Sequence, residues 1–238
     1  MEPAKAYFNK SRGLLYSYLI SLPLLLLYEV LILISQPGNR MVRISVDVWF
    51  KQFFALLGLN TISATLFIAF LIGSLIVYKK RSQLPSLKKR YFFYMLAEAF
   101  VYAILVSLLI GIFLNSLLHI YAEGAFFSMN KLQMIALSLG AGLYEELFFR
   151  VILVSLLLVI FQSIFRKKPT AYTLAALIAA LIFSAVHYVG DFGDIFTLSS
   201  FLFRFLFGLA LNLIYVMRGF GMAAWTHALY DIFVVMSR

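Results

Sequence analysis

The chain contains no cysteine. Disulfides, cysteine-ligated metals and thiol nucleophiles are therefore excluded, and the compartment is left open. Charge is also scarce. Asp, Glu, Lys and Arg make up 13% of the 238 residues, and only 10 of them are acidic. No internal repeat, low-complexity tract or soluble linker is present, and little length outside the apolar runs remains for a soluble domain. The zinc-binding pattern His-Glu-x-x-His, which ligates from one helical turn, is missing. No small-x-small cleavage site follows the first apolar run, so that run is expected to be a retained span.

What remains is overwhelmingly apolar. Hydrophobic residues make up 63% and mean hydropathy is +0.97, against about 45–50% apolar for soluble domains. The expected fold is an all-α polytopic transmembrane bundle of about seven, possibly eight, spans, with residues 1–238 forming one integral membrane domain. The expected spans are 14–34, 62–78, 92–118, 132–165, 172–188, 198–216 and 222–236. The 132–165 run would measure about 50 Å as a straight helix, beyond a hydrocarbon core of about 30 Å. It is therefore expected to be steeply tilted, or broken near its centre, which would allow an eighth helix. Between residues 40 and 59, Trp49, Phe50, Phe53 and Phe54 alternate with Asp47, Lys51 and Gln52, as suits an interfacial helix lying at the headgroups.

The net charge of +10 sits in loops between apolar runs, which points to anionic lipid rather than nucleic acid. An inward N-terminus gathers Lys5, Lys10, Arg12, the six bases from Lys79 to Arg90, Arg166, Lys167, Lys168 and Arg218 on the cytoplasmic side. The outer side receives Arg40, Arg43, Lys51, Lys131 and Arg238. A bacterial inner (plasma) membrane is the expected location.

Ionisable residues inside the spans carry the functional signal. Glu145, Glu146 and Arg150 fall in the middle of the longest run. Each costs roughly 2.5–3.5 kcal/mol at bilayer depth, so three together require partners, a wet cavity or a function. Glu146 and Arg150 are four apart and share a helix face, whereas Glu145 lies about 100° away. One carboxylate can thus be structural while the other stays free. Phe183 and His187 are four apart at the end of the fifth span, as are His227 and Asp231 in the seventh. Two histidines and two or three carboxylates converging in a bundle interior can activate water, either with a glutamate as general base or through a metal.

The motifs Glu145-Glu146-Leu-Phe-Phe-Arg150, Phe183-Ser-Ala-Val-His187 and His227-Ala-Leu-Tyr-Asp231, in that order, resemble the CPBP family of intramembrane proteases, the CAAX-processing and bacteriocin-processing enzymes. The resemblance covers about residues 132–236. It implies an intramembrane endopeptidase acting on membrane-associated peptide or protein substrates. Glu145 would activate water with His187 positioning it, and His227 and Asp231 would polarise the scissile carbonyl or stabilise the oxyanion. Glu146 with Arg150 would be structural. Asp231 departs from the Asn of the prenyl-protein endopeptidases, and an ionised Asp231 would repel an oxyanion, so it must be protonated or act otherwise. A metal-free glutamate mechanism is favoured. The alternative is a divalent metal such as zinc held by His187, His227 and Glu145.

Phe183, Arg204 and Asn212 are expected to support the site, with Arg204, Gly208 and Asn212 sharing a face turned to the cavity. Glu29 and Glu98 are expected to pair with Arg204 or reach an interface, His119 to be solvated, and Asp191 and Asp194 to lie in a solvated loop. Two other classes compete with the protease: a proton-coupled transporter using the buried acids and histidines as a relay, and a non-catalytic scaffold. Transporters often show repeated halves, and none is visible here.

Overall fold

A chain crossing lipid must satisfy its backbone internally, and every regular element among the described residues is helical. The computed structural model describes residues 2–36, 42–58, 61–118, 129–190 and 193–237. The elements are α1 (Glu2–Ser11), α2 (Leu14–Ser35), α3 (Ser45–Leu56), α4 (Thr61–Lys79), a 3-10 turn (Arg81–Ser86), α5 (Lys89–Leu118), α6 (Lys131–Gly140), α7 (Val154–Ile164), α8 (Lys168–Val186), α9 (Leu198–Arg218) and α10 (Phe220–Met236). Five segments are long and apolar enough to cross a membrane: Leu14–Ser35, Lys89–Ser116, Lys131–Ile164, Lys168–Val186 and Leu198–Arg218. Two shorter apolar helices, Thr65–Lys79 and Phe220–Met236, match the remaining expected spans in position.

The longest segment is not broken. α6 and α7 are joined through Ala141–Glu145 and Leu147–Leu153, both wound as π-helix, into one 34-residue helical segment. Single π turns inside α-helices recur at functional sites, and here they coincide with the Glu-Glu-x-x-x-Arg motif. The local sequence explains where the flanking helices start. Asn130 and Gln133 form a reciprocal capping box ahead of α6. Pro169 sits in the first turn of α8, where its missing N–H costs nothing. Thr197 caps α9 by accepting from the Ser200 backbone N–H. Gly219, at φ 87°, makes the abrupt turn from α9 into α10.

Small residues let the helices approach closely around the motif. α10 packs against α2, α5, α6, α9 and the first π segment. A Cβ on Gly142 would meet the Ala224 carbonyl oxygen at 2.4 Å, and one on Gly140 would meet the Tyr28 ring at the same distance. α8 turns Ala171, Ala175, Ala179 and Ala180 inward as a buried stripe.

Three expectations about charge are corrected. First, α3 does not lay Asp47 and Lys51 toward the headgroups. Both are buried, while Trp49 and Phe53 point outward. The cause is Glu29 on α2. Arg43 bridges Glu29 at 3.0 Å and Asp47 at 3.1 Å, and Lys51 reaches Glu29 at 3.2 Å and also pairs with Asp47. The Tyr28 hydroxyl donates to Asp47 at 2.7 Å. Two cations and two carboxylates thus neutralise each other away from water. Burial alone would loosen the Arg43 proton, but the neighbouring carboxylates hold it above its ordinary pKa.

Second, Glu98 pairs with Arg218 at 2.7 Å, not with Arg204, and accepts from the Tyr7 and Tyr102 hydroxyls. Arg218 also donates to Ser11 and to the Phe8 carbonyl, which ties α1 to α5 and α9. Third, Asp194 pairs with Arg204 instead of lying free in solvent. His119, Asp191, Arg40 and Arg238 lie outside the described residues.

The contact at Gly142 can be tested. Gly142→Ala should destabilise the protein by about 1–3 kcal/mol through overpacking, read as a lower Tm in detergent. Gly111→Ala, where a Cβ meets nothing within 4 Å, should cause no loss.

Candidate active site

The π-wound motif, the C-terminal end of α8 and the middle of α10 meet at one cavity of about 750 Å³. Glu145, His187, His227, Asp231 and Arg204 all line it. A second cavity of about 810 Å³ lies beyond Tyr144, Leu147 and Val151, between α2 and α4, and none of the first four residues lines it.

Glu146 and Arg150 are almost fully buried, at 0% and 1% exposure. Glu146 Oε1 stands 2.9 Å from Arg150 Nη1, the i,i+4 pair expected from the spacing. Arg150 Nη2 also donates to the Gly208 carbonyl at 3.3 Å, and its guanidinium lies 4.5 Å from the centre of the Phe183 ring. The same Glu146 Oε1 is 2.8 Å from His227 Nδ1. That contact joins positions 81 residues apart and could not be inferred from motif spacing. Because Glu146 Oε1 also faces Arg150, it is the acceptor, Nδ1 is the donor and Nε2 is the nitrogen left facing the cavity.

Glu145 is placed differently. In a π turn, i→i+5 bonding puts more residues in each turn than in an α turn, so neighbouring side chains diverge less. Both glutamates consequently reach His227 from opposite sides of its ring. Glu145 Oε2 lies 4.0 Å from His227 Nε2 and 3.8 Å from His187 Nε2. These separations exceed a hydrogen bond. Glu145 Oε2 is buried and has no hydrogen-bond partner among the described residues. His187 Nδ1 is 2.7 Å from the Phe183 carbonyl, an acceptor, so its Nε2 presents a lone pair toward Glu145. Phe183 supports both imidazoles, with ring-centre distances of 4.9 Å to His187 and 5.9 Å to His227. That contact, together with the one to Arg150, gives the Phe-x-x-x-His motif its physical content.

Asp231 Oδ2 is 3.6 Å from His227 Nε2. Arg204 stands at the cavity wall, held by Asp194, Ser200 and the Tyr188 hydroxyl. Gly208 and Asn212 do not continue its face into the cavity as expected. The Gly208 carbonyl serves Arg150, and Asn212 is buried against α8, donating to the Ala176 carbonyl at 3.0 Å. Sequence reasoning missed Tyr188 and Ser200, whose only signal was their position beside His187 and Arg204.

The alternative zinc set of Glu145, His187 and His227 turns Glu145 Oε2 and both Nε2 atoms toward one gap, at 3.8 and 4.0 Å. Among the described residues, no three His, Cys, Asp or Glu side chains are grouped to hold an ion. Both Nδ1 atoms are engaged by oxygens of the protein, which fixes each ring and leaves its Nε2 free toward the gap.

Arg150→Met should lower stability by about 3–5 kcal/mol, because Glu146 would stay buried without its charge partner. Arg204→Gln breaks a part-exposed pair and should cost no more than about 1 kcal/mol. Thermal unfolding of both variants in the same detergent checks the contrast.

Residues 127–233 match the family described as type II CAAX prenyl endopeptidase, Rce1-like. The matched stretch contains all three motifs, and the resemblance read from them is thereby borne out. It supports a membrane-embedded protease of the CAAX-processing type acting on membrane-associated protein. No curated protein and no solved structure matches the chain.

Proposed function

We propose that the chain, whose residues 127–233 carry the Rce1-like signature, is an intramembrane endopeptidase in which Glu145 activates water directly. The observation that carries this reading is the unpartnered, buried Glu145 Oε2 between two imidazole nitrogens at 3.8 and 4.0 Å. Polar groups at such separations suit a bridging water. His187 Nε2 accepts one hydrogen of that water and Glu145 takes the other, which aims the oxygen lone pair at a peptide carbonyl in the cavity.

As water attacks, its proton passes to Glu145 and the carbonyl oxygen becomes an oxyanion. His227, in its imidazolium form, donates from Nε2 to that oxyanion. The proton on Glu145 then moves to the leaving amine nitrogen as the C–N bond breaks, which restores the carboxylate. Asp231 Oδ2 lies 3.6 Å from that same Nε2 of His227 and helps hold the imidazolium before the oxyanion forms. Glu146 is a positioning residue. It holds the His227 Nδ1–H and so the ring orientation, and Arg150 fixes Glu146.

No step requires a metal. Enzyme stripped with a chelator should keep its turnover of a membrane-anchored fluorogenic peptide; loss on stripping that returns with stoichiometric zinc would contradict the direct mechanism. Glu145→Gln keeps the shape of the side chain and removes the proton acceptor. It should reduce turnover by at least about 100-fold, the low end of general-base contributions, with Tm unchanged. Retained turnover in a folded Glu145→Gln protein would sink the assignment.

A further inference from the structure

The direction in which the cavity opens follows from its lining. Asn115 belongs to the C-terminal end of α5, Met134 to the N-terminal end of α6, His187 to the C-terminal end of α8, Ser199 to the N-terminal end of α9, and Val235 to the C-terminal end of α10. These five chain ends lie together at one end of the bundle. The same segments, followed to their other ends, lead to the basic residues. Lys79 to Arg90 precede and begin α5, Arg166 to Lys168 lie between α7 and α8, and Arg218 ends α9. Lys5, Lys10 and Arg12 precede or enter the start of α2, at that same end.

At the mouth end Lys131 begins α6, and the other described cations are paired. Arg43 and Lys51 are engaged by Glu29 and Asp47. Arg204 is engaged by Asp194. Short loops rich in Lys and Arg are retained on the cytoplasmic side, and anionic headgroups favour them there. The cavity and the basic loops therefore occupy opposite membrane faces.

We propose that the catalytic cavity opens on the extracytoplasmic face, so that the enzyme cleaves the outward-facing end of a membrane-anchored polypeptide rather than a lipidated tail on the cytoplasmic leaflet. The cleavage chemistry rests on the endopeptidase reading above; the sidedness rests on geometry and charge alone. The polar rim suits a peptide entering from that side. Thr197, Ser199, Ser200 and Asn115 offer hydrogen-bonding groups to an extended backbone, and Glu145 lies deeper, within the π-wound segment.

The absence of cysteine makes the test clean. Asn115→Cys at the mouth and Gln83→Cys in the 3-10 turn are introduced singly into the full chain. Intact cells are treated with a membrane-impermeant maleimide before and after permeabilisation. The expected result is labelling of Asn115→Cys in intact cells, and of Gln83→Cys only once the membrane is opened. The reverse pattern, labelling of both in intact cells, or labelling of neither until permeabilisation overturns the proposal. Turnover of a membrane-anchored fluorogenic peptide by the cysteine-free protein in detergent is measured separately. If the labelling is as expected but no cleavage occurs in detergent, the protease reading fails while the sidedness stands.

Discussion

Glu146 is fully buried, and one of its oxygens lies 2.9 Å from Arg150 and 2.8 Å from His227. Removing a carboxylate from water costs several kcal/mol, even after relaxation, and two charge-assisted contacts offset that cost only while all three partners stay in place. The contact to His227 ties α10 to the motif helix. The contact to Arg150 carries the tie on to the Gly208 carbonyl of α9 and the Phe183 ring of α8. Four helical segments thus meet on one carboxylate, and the geometry of the cavity wall follows from it.

The neighbouring glutamate owes its freedom to this arrangement. Glu146 pairs with Arg150 and with the inner nitrogen of His227, so Glu145 faces the outward nitrogens of the two histidines. The close approach needed for this is set by small residues. Gly142 lies under the α10 backbone and Gly140 under the Tyr28 ring, positions where a Cβ would collide. Tyr144, in the same π turn, donates to Glu29 at 3.4 Å. The buried ion cluster of α2 and α3 therefore braces the motif through Tyr144, and one short π-wound segment separates a structural charge network from a reactive one.

Much of this was legible in the sequence wherever helical spacing decides the outcome. Positions four apart gave the Glu146–Arg150 pair and the shared face of Phe183 and His187, which meet edge to face, and hydropathy placed the long apolar helices. The rest depended on partners distant in sequence. Spacing shows which face a residue occupies but not what packs there, so Glu29 and Glu98 were expected beside Arg204 and instead found Arg43, Lys51 and Arg218. For the same reason the charged stripe of α3 was expected to face headgroups, when it is the counter-charge to Glu29. The π winding left no compositional mark. An over-long apolar run signalled something unusual at the motif, and a break and a widened turn are equally consistent with that signal.

The central claim is that Glu146 holds the Nδ1–H of His227 while Glu145 leaves it untouched. Nitrogen-15 NMR of the imidazole in purified protein measures this directly. Wild type should show His227 protonated at Nδ1 with a strong hydrogen bond there, Glu145→Gln should preserve that signature, and Glu146→Gln should lose it. A bare Nδ1 in the wild type, or a signature that survives Glu146→Gln and vanishes in Glu145→Gln, would contradict the account.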